Sequence, residues 1–111
     1  MSYTIVINSE YLGKGPEDLG AQLMGSFLRK ACVLERKPDQ IIFYNTGVRL
    51  LAEGSAVIDA LEELSRAGVD LVACGTCIQY FDLKEKLVVG RISNMMEIAS
   101  TLMASGQVIT L

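Results

Sequence analysis

The sequence predicts an α/β domain built on a five-stranded, mainly parallel sheet with helices on both faces. Three observations predict it. Short apolar, β-branched runs recur along the chain, each closed by polar residues or glycine. Stretches with apolar residues at three-to-four spacing stand between those runs. The links are short, and no long polar linker, repeat or low-complexity tract interrupts the alternation, which implies right-handed crossovers between parallel strands. At 111 residues one domain, 1–111, is expected.

Tyr3-Thr4-Ile5-Val6-Ile7-Asn8 reads as the first strand. Ser9 to Gly15 follows as a loop, and Pro16, Glu17 and Asp18 suit the start of a helix, where proline costs no hydrogen bond and acidic residues meet the positive dipole end. Leu19, Leu23, Phe27, Ala31 and Leu34 form its stripe, widened by Met24 and Leu28. Basic residues load its far end, and Pro38 stops it. Ile41 to Asn45 is the second strand, followed by a short helical turn from Val48 to Ala52. A longer helix comes next, capped by Ser55, with Val57, Ile58, Leu61 and Leu64 facing inward and Gly68 at its end. Val69 to Ala73 is the third strand, Gln79 to Lys86 a short helix, and Leu87 to Val89 a fourth strand that Gly90 ends. Asn94 with Glu97 resembles a capping box ahead of Met95, Ile98, Leu102 and Met103. Gln107 to Leu111 is the fifth strand.

With the flavodoxin-like strand order 2-1-3-4-5, strands one and three are neighbours and ligands bind outside their carboxyl ends. The loop Asn8 to Gly15 is then expected to face Cys74 to Cys77. Composition narrows the chemistry further. The chain has no histidine, which removes Ser/His and Cys/His catalysis and most mixed zinc sites. Two nearby cysteines do not complete a tetrahedral zinc site, so no metal is expected. Gly13-Lys14-Gly15 lacks the glycine order of a dinucleotide or P-loop fingerprint, and no cofactor is expected. A net charge of -3 gives no basic footprint for nucleic acid. No apolar run approaches a membrane span and the start lacks a leader pattern, so the expectation is a cytoplasmic protein without a membrane or nucleic-acid partner. An odd set of three cysteines, Cys32, Cys74 and Cys77, fits a reducing compartment.

The candidate chemistry lies at Cys74-Gly75-Thr76-Cys77, where an apolar strand delivers two thiols to a helix start. A thiol there meets unpaired backbone N–H groups that favour thiolate, and Cys77 gains more from this than Cys74. Cys77 is therefore the candidate nucleophile, with tight-turn packing as its structural alternative. Cys74 reads equally as a resolving thiol or a strand-end core residue, and Cys32 as a packing residue within a helix. Asn8, Gly13, Lys14, Gly15, Asn45 and Thr76 are the candidate substrate-binding residues, Lys14 adding positive charge and Thr76 a hydroxyl. Tyr80 and Phe81 read as packing beside the site. The Cys-x-x-Cys spacing also suggests a thioredoxin-like dithiol. Against it, the motif follows the third strand rather than an early one, and neither Pro16 nor Pro38 reads as the proline that would face it.

These residues carry a family resemblance that runs end to end. Ile7-Asn8-Ser9 stands with Leu12-Gly13-Lys14-Gly15 and Leu19-Gly20, and Ile42-Phe43-Tyr44-Asn45 with Gly47-Val48 and Glu53-Gly54-Ser55. Cys74-Gly75-Thr76-Cys77 stands with Tyr80 and Leu83, and Val89-Gly90 with Ser93-Asn94-Met95. In this ordered set the chain resembles the DsrE/DsrF-like family, and within it the C-terminal domain of the YedF proteins, which are sulfurtransferase-like and associated with selenium metabolism. The resemblance implies a flavodoxin-like DsrE fold, a homo-oligomer (dimer, trimer or hexamer) and a persulfide-carrying cysteine after a central strand, here Cys77. YedF proteins also carry an N-terminal TusA-like domain that these residues do not contain, so either a separate TusA-like protein is the sulfur donor or the domain has a different task. The leading expectation is a sulfur-relay, sulfurtransferase-like protein. The alternatives are an oligomeric, non-enzymatic module binding a small ligand or partner peptide with structural cysteines, and a dithiol oxidoreductase.

Overall fold

Five parallel strands form one sheet in the computed structural model, which describes residues 2–111. They are β1 (Thr4–Ile7), β2 (Gln40–Phe43), β3 (Asp70–Cys74), β4 (Arg91–Ser93) and β5 (Val108–Thr110). The helices are α1 (Glu17–Val33), α2 (Ile58–Arg66), α3 (Gly75–Tyr80) and α4 (Met95–Ala104), with 3₁₀ segments at Asn45–Leu51 and Lys84–Lys86. The expected class, a parallel α/β sheet covered on both faces, is the one observed. One apolar cluster joins Ile5, Ile7, Ile41, Phe43, Leu71 and Ala73 to α1 and α2. A second, on the other face, joins Ile42, Val72 and Cys74 to Ile98 of α4.

Within that class the strands run 4-3-2-1-5, where 2-1-3-4-5 was expected. β1 still pairs with β2, and β3 with β4. Between them, however, β2 stands beside β3, and β5 takes the far edge of β1. The physical reason is burial. Ile41, Ile42 and Phe43 are fully buried, so this strand is apolar on both faces and belongs inside the sheet. The expected order would have left it on an edge. The edges are instead taken by β4 and β5, three residues each and mostly exposed, as edge strands that avoid further pairing should be.

Stepping from β1 through β4 in one direction with right-handed crossovers places α1 and α2 on one face. The return to β5 puts α4 on the other. The strand order therefore reverses between β1 and β5, and the cysteines at the end of β3 do not sit at that reversal.

Several element boundaries also move. In α1 the buried face is Gly20, Met24, Gly25, Leu28 and Ala31, so the residues that widened the expected stripe are its centre. Leu19, Leu23 and Leu34 are exposed. Ser55 accepts the Val57 N–H and turns the chain into α2, which starts at Ile58. Leu87 to Val89 is not the fourth strand. Leu87 bridges Ala52 in antiparallel fashion and the Val88 N–H donates to the Leu51 carbonyl at 2.9 Å, so this stretch pairs with the end of the 3₁₀ segment. Gly90, at φ +89°, then turns the chain into the sheet, beginning β4 where it was expected to end it. The helix expected over 79–86 starts earlier, at Gly75, and breaks at Asp82, whose φ is +56°. Asn94 Oδ1 caps α4 by accepting the Glu97 N–H at 2.9 Å. The Glu97 carboxylate does not complete a capping box. It bonds Ser93 and Arg91, and Arg91 also pairs with Asp70, which ties the edge strand to α4.

Candidate functional site

β3 delivers Cys74 to the start of α3 in extended backbone, and the helix then raises Cys77 on its first turn. The two thiols differ in access. Cys74 is 2% exposed and packs under Ile98 of α4, whereas Cys77 is half-buried at the junction of the two apolar clusters. Beside Cys77 opens a cavity of about 430 Å³ walled by Asn45, Thr76, Cys77, Tyr80 and Phe81. The asymmetry expected of the pair, an outer Cys77 over an inner Cys74, is the geometry observed.

The sulfur of Cys77 accepts the backbone N–H of Asn45 at 3.0 Å. Burial is the largest influence on this thiol and pushes its pKa up. The Asn45 N–H pulls it down, and the neighbouring Cys74 thiol raises it again. The balance is upward, against the thiolate that a helix start was expected to favour. Desolvation of the charge outweighs the one N–H, because a partly buried anion gives up part of its water. Cys32 lies on α1, far along the chain from this pair, and donates its thiol hydrogen to the Ala60 carbonyl of α2 at 3.4 Å. Burial raises its pKa as well, in keeping with a packing role.

Of the candidate substrate-binding residues, the structure brings Asn45 and Thr76 to the cavity and leaves Asn8, Gly13, Lys14 and Gly15 outside its walls. The strand order explains the difference. With β2 between β1 and β3, the loop that reaches Cys77 is the one after β2. The loop after β1 folds back on α1 instead, where the Leu12 N–H donates to the Gly20 carbonyl at 3.1 Å. Lys14 is exposed and walls no cavity with the sulfur.

Glu10 and Arg49 are the residues that sequence reasoning missed. Arg49 lies 4.3 Å over the Phe81 ring centroid and pairs with Glu10 at 3.1 Å. It thus ties the β1 loop to the aromatic wall of the cavity without lining that cavity itself. Tyr80 completes the wall edge-on to Phe81, with centroids 5.0 Å apart, and is 82% exposed. Nothing in the spacing of Glu10, Arg49 and Phe81 signals their contact, which exists only across three separate segments.

Among the described residues no group of three or more cysteine, aspartate or glutamate side chains is placed to hold a metal ion. No helix among them is long and apolar enough to cross a membrane. The arrangement sets one thiol at the rim of an open cavity, a backbone donor on its sulfur, and a second thiol beneath.

Comparison with known proteins bears on the same arrangement. No curated protein matches the sequence. Among solved structures, the chain is similar to YchN from E. coli, at 18% identity and a TM-score of 0.76 over 99% of this chain and 98% of that one. It is also similar to MTH1491 from Methanobacterium thermoautotrophicum, a protein of unknown function, at 19% identity and a TM-score of 0.72 over 99% and 98%. A third likeness, to BT1422 from Bacteroides thetaiotaomicron, has 14% identity and a TM-score of 0.63 over 97% and 94%. At these identities the likenesses concern the fold. The family model for DsrE/DsrF-like proteins matches residues 1–111, the whole sheet together with the cysteine loop that follows β3, and the chain therefore belongs to the DsrE/DsrF-like family.

Proposed function

We propose that this protein is a sulfur carrier in a relay, and that Cys77 holds the sulfur. One observation carries the reading: the Cys77 sulfur stands at an open cavity with a backbone N–H on it and the Cys74 thiol against it. The Cys77 thiolate attacks the outer sulfur of a donor persulfide. A new S–S bond forms on Cys77, the donor S–S bond breaks, and its electron pair leaves on the donor thiolate. An acceptor thiolate then takes the outer sulfur and returns Cys77 to thiolate. Alternatively, the Cys74 thiolate attacks Cys77 Sγ and expels hydrosulfide, leaving a Cys74–Cys77 disulfide that a dithiol reductant must reopen. The donor is a TusA-like protein, and selenium follows the same route in the YedF-like setting.

The carrier works as a homo-oligomer. In support, α4 presents Met95, Met96 and Met103 to solvent, at 56%, 78% and 87% exposure, and β5 exposes Val108. Light scattering of the purified chain reads this directly, and a monomer at all concentrations refutes it.

The test of the relay is the intact mass after exposure to a sulfane donor, compared across wild type, Cys77→Ser and Cys74→Ser. A sulfur adduct present in wild type and Cys74→Ser but lost in Cys77→Ser is the expected result. No adduct on wild type overturns the relay in favour of a binding module with structural thiols. Reversible disulfide formation with no adduct favours the oxidoreductase.

A further inference from the structure

We propose that Asn45 is the positioning residue of this site: its backbone N–H, aimed by a left-handed turn, orients the Cys77 sulfur for attack and receives it as leaving group. The inference deepens the carrier reading of Cys77 and replaces a substrate-binding role for the Asn45 side chain.

The geometry of the turn carries it. Asn45 has φ +53°, a region that asparagine enters more easily than other side-chain-bearing residues. Its own Oδ1 accepts the Thr46 N–H at 2.9 Å and so holds the turn closed. Around it the Tyr44 N–H donates to the Ile7 carbonyl at 3.2 Å, and the Gly47 N–H to the Tyr44 carbonyl at 3.1 Å. The backbone donors of Tyr44, Thr46 and Gly47 are thus spent within the turn and its scaffold, and the Asn45 N–H between them goes to Cys77 Sγ at 3.0 Å. The turn is also anchored from the β1 loop, where Thr46 Oγ1 accepts the Glu10 N–H at 3.3 Å.

A donor fixed in this way acts most strongly on an anionic acceptor. The Cys77 sulfur is anionic twice in the relay: as the attacking thiolate, and again when an acceptor removes the outer sulfur and the S–S electron pair returns to Cys77. In the persulfide between those steps the charge resides on the outer sulfur, and the N–H has less to hold. The same hydrogen bond therefore favours both loading and unloading, and it opposes the burial that would keep the thiol protonated.

The test removes the N–H and, of the other bonds in the turn, weakens only the one that the Gly47 N–H donates to the Tyr44 carbonyl. In the full chain, made by semisynthesis, residue 45 is replaced by the α-hydroxy acid analogue of asparagine, so that an ester stands where the amide was. The readout is the pH dependence of Cys77 alkylation by iodoacetamide, followed by peptide mass. The midpoint is expected to rise by about one pH unit, the effect of one hydrogen bond to a charged group. Exchange with a disulfide probe at neutral pH is expected to slow about threefold, because a tenfold loss of thiolate is partly offset by its greater intrinsic nucleophilicity. Asn45→Gly, which keeps the N–H and the left-handed conformation but loses the Oδ1 that closes the turn, is expected to shift the midpoint by less than the ester does. An ester variant with an unshifted midpoint overturns the proposal, and a shift in Asn45→Gly alone assigns the effect to the side chain. A wild type that gains no sulfur adduct while the ester still shifts the midpoint defeats the carrier reading and leaves this one standing.

Discussion

Gly47→Ala is the single substitution that should disturb the site most for the least chemical change. A Cβ at Gly47 would lie 2.3 Å from the Ile7 carbonyl oxygen and 3.0 Å from its carbon. Both atoms are backbone of β1, a strand held between β2 and β5, so the neighbour does not yield as a side chain would. Ordinary contact needs roughly an ångström more, and the start of the 3₁₀ segment has to move by about that much. Overpacking of this kind costs about 1–3 kcal/mol. With the urea slope usual for a small domain, a loss of about 2 kcal/mol lowers the unfolding midpoint by about 1 M. The displaced segment includes Asn45, so its N–H is drawn off Cys77 and the midpoint for Cys77 alkylation should rise as well. Urea unfolding followed by circular dichroism and the alkylation profile together form the assay. A variant with wild-type stability shows that the turn has slack against β1. A destabilised variant with an unchanged Cys77 profile shows that the turn and the sulfur are not mechanically joined.

Three further outcomes are expected. Leu28→Ala should destabilise by about 3 kcal/mol, because Leu28 is fully buried, while Leu23→Ser at 43% exposure should cost less than about 1 kcal/mol; equal costs in urea melts would refute the observed face of α1. Asn94→Ala should cost about 1 kcal/mol by freeing the Glu97 N–H, and a neutral effect would show that the cap contributes nothing to α4. Arg91 and Ser93 hold the Glu97 carboxyl down to about 2. A carboxylate depressed on folding adds stability at pH values above its unfolded pKa, near 4.3, and that stability is lost as pH falls through the folded value. Acid unfolding of Glu97→Gln should therefore lack part of the wild-type fall between about pH 4 and pH 2, whereas identical profiles would show the exposed pair to be without effect.

Much of this molecule is legible in local sequence, because local sequence is where its signals reside. Runs such as Ile5-Val6-Ile7 and Ile41-Ile42-Phe43 declare buried strands by composition alone, and Asn94 announces a helix start through its own side chain. The periodicity of α1 is equally plain in sequence, but its centre is not. Leu19 and Leu23 are as apolar as Met24 and Leu28, and only the sheet beneath them decides which pair is covered. The same holds for Leu87 to Val89. An apolar triplet finds backbone partners wherever an unpaired carbonyl is offered, and here the end of the 3₁₀ segment offers it.

The sequence by itself determined an alternating parallel α/β chain, two thiols at the end of an apolar strand, and the ranking of Cys77 as the outer one. Tertiary structure alone decided what surrounds that thiol. Strand order is a property of pairings far apart in the chain, and the insertion of β2 between β1 and β3 exchanged the Lys14 loop for the Asn45 turn as the neighbour of Cys77. It likewise set Arg49 over Phe81 and half-buried the sulfur, which raises its pKa. Desolvation, cation–π contact and a backbone donor all depend on distance in space, which residue spacing along the chain does not specify.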